Sequence, residues 1–328
     1  MIETMMKAIV IDEPGDPDVL KIREIPRPSP REGWVLIKVM AFGLNRSEMY
    51  TRQGHSPFVR FPRVLGIECV GIVEEAPNTP FQTGQSVAAI MGGMGRKFDG
   101  GYAEYTCVPE SSVFPLTADL EWAILGAIPE MFQTAWGSLH AALEIQPKQT
   151  LLIRGGTSSV GMTAIQLAKQ FGLTVIATTR NPNKVDVLKN NGADHVVIDK
   201  GTLFKSIRQL LPGGVDRVLE LVGAVTLLDS FKCAAPKGIV CMTGILGNEW
   251  RIKNFEPLMM IPATVKFTSY SGEAKDIDMK ALQKFVDDIV NDQIKINLDR
   301  VFKFDEIVEA HQYMEENRAC GKLVVLVN

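Results

Sequence analysis

The sequence predicts an α/β protein in which a β-rich domain is followed by a doubly wound, parallel-sheet domain. Over the first 120 residues or so, short apolar strands are interrupted by Pro and Gly at short intervals. Beyond that point strand patterns alternate with helix patterns, as in a parallel sheet built from βαβ units. The length of 328 residues also suits two domains better than one core.

The predicted strands are short apolar runs that lie between turn residues. In the first domain they are MKAIVI, VLKIREI, WVLIKVMA, ECVGIVEE, QSVAAI and GYAEYTCV. In the second they are TLLIR, TVIATTR, HVVID, VDRVLELV and GIVCMTG. Helices are expected there from about Ser159 to Phe171, from Pro182, near Leu203 and near Thr226. We therefore place the two domains at residues 1–122 and 123–272.

Residues 273–328 show a third pattern, with two helices and a final apolar strand, GKLVVLV. The first helix carries one apolar face, formed by Leu282, Phe285, Val286, Ile289 and Val290. The second is expected to begin near Asp305, a suitable N-cap. This segment is too short for a domain of its own, so we expect it to return to the first domain.

Composition excludes several classes of partner. The net charge of −3 gives no electrostatic reason to expect nucleic acid or an anionic membrane. No stretch approaches the roughly 18 consecutive apolar residues of a membrane span, and MIETMMKAIV lacks the pattern of a secretory signal. The five cysteines are odd in number and not closely spaced, which predicts free thiols in a reducing cytoplasm.

A glycine turn in LLIRGGTSSVGMTAIQLAKQFG predicts a site for a dinucleotide. It follows a strand, precedes an amphipathic helix and opens a series of βαβ units. Gly155 and Gly156 suit the bend, and Gly161 suits close packing of the helix against the strand. Ser158 stands where the G-x-G-x-x-G fingerprint has its second glycine, at the closest approach to the phosphates.

Backbone and hydroxyl groups of this turn are the expected phosphate ligands. We expect the amides of Ser158 and Val160 to face the pyrophosphate, because a helix N-terminus binds anions. The hydroxyls of Thr157, Ser158 and Ser159 are expected to donate to phosphate oxygens. A Ser158→Asp change should therefore repel the cofactor.

The second strand of this domain indicates which nicotinamide cofactor binds. TVIATTRNPNK has no acid for a ribose 2′-hydroxyl, whereas Arg180 and Lys184 lie where cations can pair with a 2′-phosphate. This favours NADPH, with Lys200 as a possible third cation; a solvated basic helix start is the alternative. We also expect Thr179, Val222 and Gly244 to bind the cofactor.

Ordered motifs along nearly the whole chain resemble the medium-chain dehydrogenase/reductase superfamily, and within it the zinc-independent quinone oxidoreductase branch. The motifs are GLNRSEMYTRQG, PRVLGIECVGIV, GGYAEY, TAWGSL, GGTSSVG, LKNNGADHVVID, ELVG and GKLV. The resemblance implies a GroES-like catalytic domain, a Rossmann cofactor domain, a cleft between them, NADPH, and a homodimer joined through VKFTSYS. Three departures from the branch are the serines at 158 and 159, Glu48 in place of Asp, and Lys200 in place of Tyr.

The same resemblance argues against a metal. Asn45 stands at the place of the first zinc-binding Cys, and Ile67 stands before Glu68 where His is expected. Neither an amide nor an isoleucine replaces a thiolate or an imidazole as a zinc ligand. The four scattered histidines are expected on the surface or in packing, with His55 the best candidate for contact with substrate.

Without a metal, reduction of an activated acceptor is the less demanding chemistry. The developing oxyanion needs only hydrogen-bond donors and a proton source. Tyr50 and Asn45 are the expected catalytic residues, the alternatives being a packing role for Tyr50 and a turn role for Asn45. Arg52 is expected either to hold a substrate anion or to form a surface ion pair.

These observations predict an NADPH-dependent reductase of quinones or related conjugated carbonyls. A reductase of enoyl thioesters or alkenals is the alternative with the same fold and cofactor. Two others are an RNA-binding role like that of some crystallin-like relatives and a zinc alcohol dehydrogenase. A salt-dependent RNA gel shift and metal analysis would reveal them.

Overall fold

A computed structural model describes residues 4–327. The chain divides into two compact units. One, here called the split unit, takes in the chain up to Glu130 and from Glu273 onward; the other, the central unit, is Met131–Gly272. The first boundary therefore lies at 130 rather than at the expected 122. No helix within residues 4–327 is long and apolar enough to cross a membrane.

The strands and helices follow the predicted order. The strands are β1 (Met5–Ile11), β2 (Lys21–Pro26), β3 (Trp34–Gly43), β4 (Arg63–Val64), β5 (Glu68–Glu75), β6 (Ser86–Ile90), β7 (Tyr105–Pro109), β8 (Val113–Pro115), β9 (Thr150–Arg154), β10 (Thr174–Thr179), β11 (His195–Ile198), β12 (Val215–Glu220), β13 (Ala234–Met242), β14 (Lys266–Ser269), β15 (Leu298–Lys303) and β16 (Lys322–Leu326). The helices are α1 (Arg46–Arg52), α2 (Trp122–Leu125), α3 (Ile128–Gly137), α4 (Ser159–Gln170), α5 (Val185–Asn190), α6 (Phe204–Leu210), α7 (Ala224–Cys233), α8 (Pro257–Met260), α9 (Met279–Val290) and α10 (Ile307–Glu315).

The split unit is built on two β-sheets. One has the order β2-β1-β4, and the other has the order β15-β16-β3-β5-β6-β8 with β7 added beside β3. The final strand β16 pairs antiparallel with β3, so Val324 lies opposite Gly43. The C-terminal strand therefore belongs to the same sheet as β3.

The central unit is a parallel sheet with the strand order β11-β10-β9-β12-β13-β14. Numbered along the unit, this order is 3-2-1-4-5-6, the doubly wound Rossmann arrangement. The order reverses between β9 and β12, and in such sheets the crevice at the carboxyl ends of these strands is where ligands bind. The fold class predicted from sequence is therefore confirmed.

Several local expectations need correction. The helix expected from Pro182 starts as a 3-10 turn, and α5 begins only at Val185. Asp305 lies inside a 3-10 turn rather than at the N-cap of α10. In α9 the predicted apolar face is buried except for Val290, which is 51% exposed because it lies in the last turn.

Candidate active site

The expected cofactor residues of the central unit cluster at the carboxyl ends of its strands. The glycine turn follows β9, Thr179 ends β10, Val222 follows β12, and Gly244 follows β13. Because the strands are parallel, these ends share one edge of the sheet. The loops after β12 and β13 are also joined, since the amide of Gly247 donates to the carbonyl of Val222 at 2.8 Å.

The turn after β9 needs its glycines for two different reasons. Gly155 has a φ of +91°, a conformation that disfavours residues with a side chain. A Cβ on Gly161 would lie 2.6 Å from the carbonyl oxygen of Gly155 and 2.9 Å from the Cα of Gly156. Helix α4 therefore packs directly on the backbone of the turn, which is the geometry expected of a phosphate cradle.

The Ser158 side chain does not have the role expected from the sequence. Its hydroxyl donates to the carbonyl of Gly155 at 2.8 Å and accepts the amide of Gly161 at 3.1 Å. Ser158 is thus the N-cap of α4, and its hydroxyl proton is already used within the turn. The expectation that this hydroxyl donates to a phosphate is corrected, while Thr157 and Ser159 keep that prediction.

The helix amides need a similar adjustment. The amide of Ser158 donates to the carbonyl of Gly155 at 3.2 Å, so it is engaged in the turn. Ser159 and Val160 are the first two residues of α4, and amides at those positions have no intrahelical acceptor. An anion is therefore expected at Ser159 and Val160 rather than at Ser158 and Val160.

The cations expected near a 2′-phosphate follow the next two strands along the chain, β10 and β11. Arg180 directly follows β10 and is exposed, Lys184 is half-buried, and Lys200 is exposed. The hydroxyl of Thr179 accepts the amide of Asn181 at 3.1 Å, which shapes the bend that carries Arg180. No acid occupies the end of β10, so the residues present fit a phosphorylated ribose better than a free one.

A buried ion network under the turn was not anticipated from the sequence. Arg154, the last residue of β9, is fully buried and binds both oxygens of Asp199 at 2.7 and 3.0 Å and one oxygen of Asp229 at 2.9 Å. Nearby, Glu220 accepts the amides of Val222 and Gly223 at 2.8 and 3.0 Å. These side chains fix the loops that carry the cofactor residues. In the sequence, this network is indicated by the charged residues that end two apolar strands, Arg154 in β9 and Glu220 in β12.

In the split unit, α1 carries the residues expected to act on substrate. Asn45 precedes the helix, Tyr50 lies within it, and the ring of His55 lies 6.5 Å from that of Tyr50. Tyr50 is 7% exposed, and burial raises the pKa of its phenol although Arg46 opposes the shift. The phenol therefore keeps its proton at neutral pH and can donate a hydrogen bond.

Both terminal nitrogens of Arg52 are engaged within the split unit, although its buried Nε has no hydrogen-bond partner among the described residues. Its side chain is fully buried, donates to the carbonyl of Gly15 and pairs with Glu315 at 2.6 Å. Of the two alternatives drawn from the sequence, the structure favours the ion pair, although it is buried on the Arg52 side rather than at the surface.

Asn45 belongs to a buried cluster with Glu68 and Lys322. The Lys322 ammonium donates to Asn45 Oδ1 at 2.6 Å and to Glu68 Oε1 at 2.7 Å, and it lies 3.6 Å from Glu130 Oε2. Burial alone would lower the pKa of Lys322, but Glu68 and Glu130 outweigh it and raise that pKa. Lys322 therefore stays charged. Its position in the apolar strand GKLVVLV was the signal that it has a buried partner.

Glu48, the residue that replaces the usual Asp, lies beside this cluster. Its Oε1 accepts the amide of Ile67 at 2.9 Å, whereas Oε2 is buried and has no hydrogen-bond partner among the described residues. Burial, helped by the charge of Glu68, raises the pKa of Glu48 to about 7, although the hydrogen bond from the Ile67 amide and the charge of Lys322 oppose the shift. Glu48 is therefore largely protonated below neutral pH.

The residues of this cluster do not fit zinc. The nearby donors are one amide and carboxylates already bound to an ammonium, and Ile67 offers no ligand atom. Across residues 4–327, no three His, Cys, Asp or Glu side chains are grouped so that they could hold a metal. The glycine turn, in contrast, fits a dinucleotide, because α4 packs closely on its backbone and begins at Ser159.

Comparison with known proteins agrees with both units. A family profile described as "Alcohol dehydrogenase GroES-like domain" matches residues 31–118, and one described as "Zinc-binding dehydrogenase" matches residues 191–325. The quinone oxidoreductase of Lama guanicoe is 30% identical over 256 residues, covering 75% of this chain and 74% of its own. That of Homo sapiens is 25% identical over 334 residues and 99% of each chain.

Solved structures give the same result. A mycobacterial protein solved as a complex with NADPH is 26% identical, covers 98% of this chain and 99% of its own, and superimposes with a TM-score of 0.87. The chain belongs to the medium-chain dehydrogenase/reductase superfamily, in its quinone oxidoreductase branch, and is an oxidoreductase.

Proposed function

We propose that this protein is an NADPH-dependent reductase of quinones or related conjugated carbonyls that acts without a catalytic metal. The observation that carries the cofactor choice is the end of β10, where an exposed arginine follows and an acid is missing. The NADPH complex of a structural neighbour supports the same choice. The names of the quinone oxidoreductase relatives support the acceptor class.

The central unit is proposed to bind the cofactor. Ser159 and Val160 amides would hold the pyrophosphate, the hydroxyls of Thr157 and Ser159 would add donors, and Arg180 would pair with the 2′-phosphate. Lys184, Thr179, Val222 and Gly244 are proposed to complete the site. When bound, NADPH supplies a hydride, which carries two electrons.

The split unit is proposed to handle the acceptor. Tyr50 donates a hydrogen bond or its proton to the acceptor oxygen, so that hydride on carbon and proton on oxygen together complete a two-electron reduction. Water then returns the proton to the phenolate. Asn45 orients groups at the site, and His55 contacts the acceptor.

An oxidation assay tests the proposal. NADPH oxidation is followed with a quinone, an enal, an enone and an enoyl thioester, with NADH alongside. We expect the quinone or the enone to be reduced and NADPH to be preferred. A preference for the thioester would select the enoyl reductase alternative, and no turnover with any acceptor would contradict the reductase assignment.

A matched pair of variants tests the cofactor choice. Arg180→Gln should raise the Kd for NADPH by about tenfold and leave that for NADH within about threefold, because only NADPH has the 2′-phosphate. Lys237→Gln removes one exposed charge near the start of β13, away from the strand ends, and should change neither. An equal loss for both cofactors in Arg180→Gln would contradict the role given to Arg180.

We also propose a homodimer joined through β14. This strand ends the sheet order, its Phe267 is 41% exposed, and Leu258 and Met259 of α8 are 94% and 78% exposed. An unpaired strand edge beside exposed apolar side chains suits pairing with a second copy. Light scattering should give a dimer that Phe267→Glu converts to a monomer.

The five free thiols are consistent with the cytoplasmic location that we propose.

A further inference from the structure

A cation is built into the split unit at the end of β3. Lys322 is 1% exposed and Glu68 is fully buried, so the ion pair between them is almost completely removed from water. Glu68 Oε2 also accepts the amide of Glu130 at 2.7 Å, so both of its oxygens are used. A buried ammonium with this many oxygen partners stays in place, because leaving them would strand uncompensated charges.

This ammonium determines how the Asn45 amide is oriented. Asn45 Oδ1 accepts from Lys322, and Nδ2 donates to Glu68 Oε1 at 2.8 Å. A flipped amide would direct its NH₂ group at the ammonium, which has no acceptor. Asn45 occupies the N-cap of α1, yet its side chain makes no capping hydrogen bond. The cluster therefore competes successfully with the local cap.

The backbone leaves room for this arrangement. A Cβ on Gly43 would lie 2.5 Å from Lys322 Cε and would also overlap Glu68 Oε1. The φ of Gly43 is not in the left-handed region, so glycine is needed here for space and not for backbone freedom. Gly43 therefore leaves the space that the Lys322–Glu68 ion pair occupies.

We propose that Lys322 is a positioning residue of the reductase. Its ammonium serves as the resident cation of the site, where it fixes the Asn45 amide and the start of α1, the helix that carries Tyr50. The inference rests on the proposed function for its effect on turnover. Whether the space filled by the Lys322 side chain binds a cation can be tested without measuring turnover.

Two variants separate the charge from the space that it fills. Lys322→Met is neutral and of similar length, whereas Lys322→Ala leaves a cavity where the side chain was. Both should lower kcat by about tenfold or more while the Kd for NADPH stays within about threefold, because the cofactor residues belong to the other unit. Lys169→Ala, which breaks the pair with Asp194 in the central unit, is the control and should keep kcat. Retention of kcat in Lys322→Met would overturn the proposal.

Chemical rescue distinguishes positioning by a cation from a general loss of structure. Propylammonium replaces the atoms that Lys322→Ala lacks, and 1-propanol is a neutral analogue of the same length. We expect propylammonium to restore kcat and 1-propanol not to. The restoration should occur in Lys322→Ala but not in Lys322→Met, because the methionine side chain fills the cavity. A folded alanine variant that propylammonium does not restore, or that 1-propanol restores equally, would contradict the role of the charge.

A second variant acts on the same contact and leaves Lys322 unchanged. Gly43→Ala should displace the ammonium and reproduce the loss of kcat, whereas Gly213→Ala, where a Cβ meets nothing within 4 Å, should not. If wild type reduces no acceptor, the proposed function fails, but thermal unfolding still tests whether a cation binds in the cavity left by Lys322→Ala. Propylammonium should then raise the Tm of Lys322→Ala and not that of Lys169→Ala. Equal Tm changes in the two would overturn the inference.

Discussion

Helices α4 and α1 both begin with a polar N-cap residue, and the two side chains behave differently. Ser158 at α4 accepts the amide of Gly161, as capping predicts. Asn45 at α1 makes no capping bond and instead joins Lys322 and Glu68. A cap is worth about 1 kcal/mol, whereas hydrogen bonds to charged groups are worth about 1.5–3 kcal/mol each.

The difference separates what local sequence determines from what the fold determines. The Ser158 turn is formed by seven consecutive residues, and spacing along the chain reveals the role of each glycine. The Asn45 cluster draws on the N-cap of α1, β5, α3 and β16, and Lys322 is 277 residues from Asn45. Such a cluster exists only once β16 has paired with β3.

Replacing the two caps by alanine gives the sharpest contrast. Asn45→Ala should lower the free energy of unfolding by about 3 kcal/mol or more, because Lys322 and Glu68 each lose a buried partner. Ser158→Ala should cost about 1 kcal/mol, the value of a cap. Urea unfolding of both variants measures the two losses. Equal losses would mean that Asn45 is only a turn residue.

Glu48 gives the cluster a dependence on pH that the turn lacks. Its pKa rises from 4.5 to about 7 on folding, because burial and Glu68 disfavour the charged form more than the Ile67 amide and Lys322 favour it. The native state thus holds a proton that the unfolded chain releases, so stability falls as the pH rises through this window and levels off above it. The shift corresponds to about 3 kcal/mol.

Glu48→Gln removes this titration and keeps the side-chain shape. The stability of the variant relative to wild type should grow by about 3 kcal/mol between pH 4.5 and 7. Tyr102 also faces this carboxyl, but it does not titrate in that range because burial raises its pKa. Glu13→Gln, at an exposed acid, serves as the control. Parallel stability curves for Glu48→Gln and wild type would place the Glu48 pKa near its ordinary value.

Sequence alone was sufficient for the fold class, because it depends on local periodicity and on an ordered series of motifs. It failed at Ser158, because a hydroxyl that can reach a phosphate can also cap its own helix. For Arg52 it left two alternatives open, because nothing near Arg52 in sequence indicates Glu315 as its partner. The role of Lys322 could not be predicted from the motif GKLV, since its partners Asn45 and Glu68 are distant in the chain.

Gly161 allows a steric test of whether close packing within the turn is required for cofactor binding. Gly161→Ala places a methyl group 2.6 Å from the Gly155 carbonyl oxygen, and backbone must move to admit it. We expect a loss of about 2 kcal/mol in stability and at least about tenfold in NADPH affinity. Calorimetric titration measures the affinity, and Gly213→Ala in the same unit is the control. An unchanged affinity would show that α4 does not depend on this close packing to present its amides.

Ser158 itself allows the finest test, because the same position can be changed in charge while its cap is kept. Asp and Asn both cap helices well, so Ser158→Asp and Ser158→Asn should both leave α4 intact. Asp should stabilise the cofactor-free protein by about 0.5 kcal/mol through the helix dipole. It should nevertheless weaken NADPH binding by about tenfold, since its carboxylate repels the pyrophosphate. Asn should stay within about threefold of wild type for NADPH. Stability and affinity moving in opposite directions in one variant would place the anion at this helix end, whereas equal NADPH affinities for the Asp and Asn variants would place the pyrophosphate elsewhere.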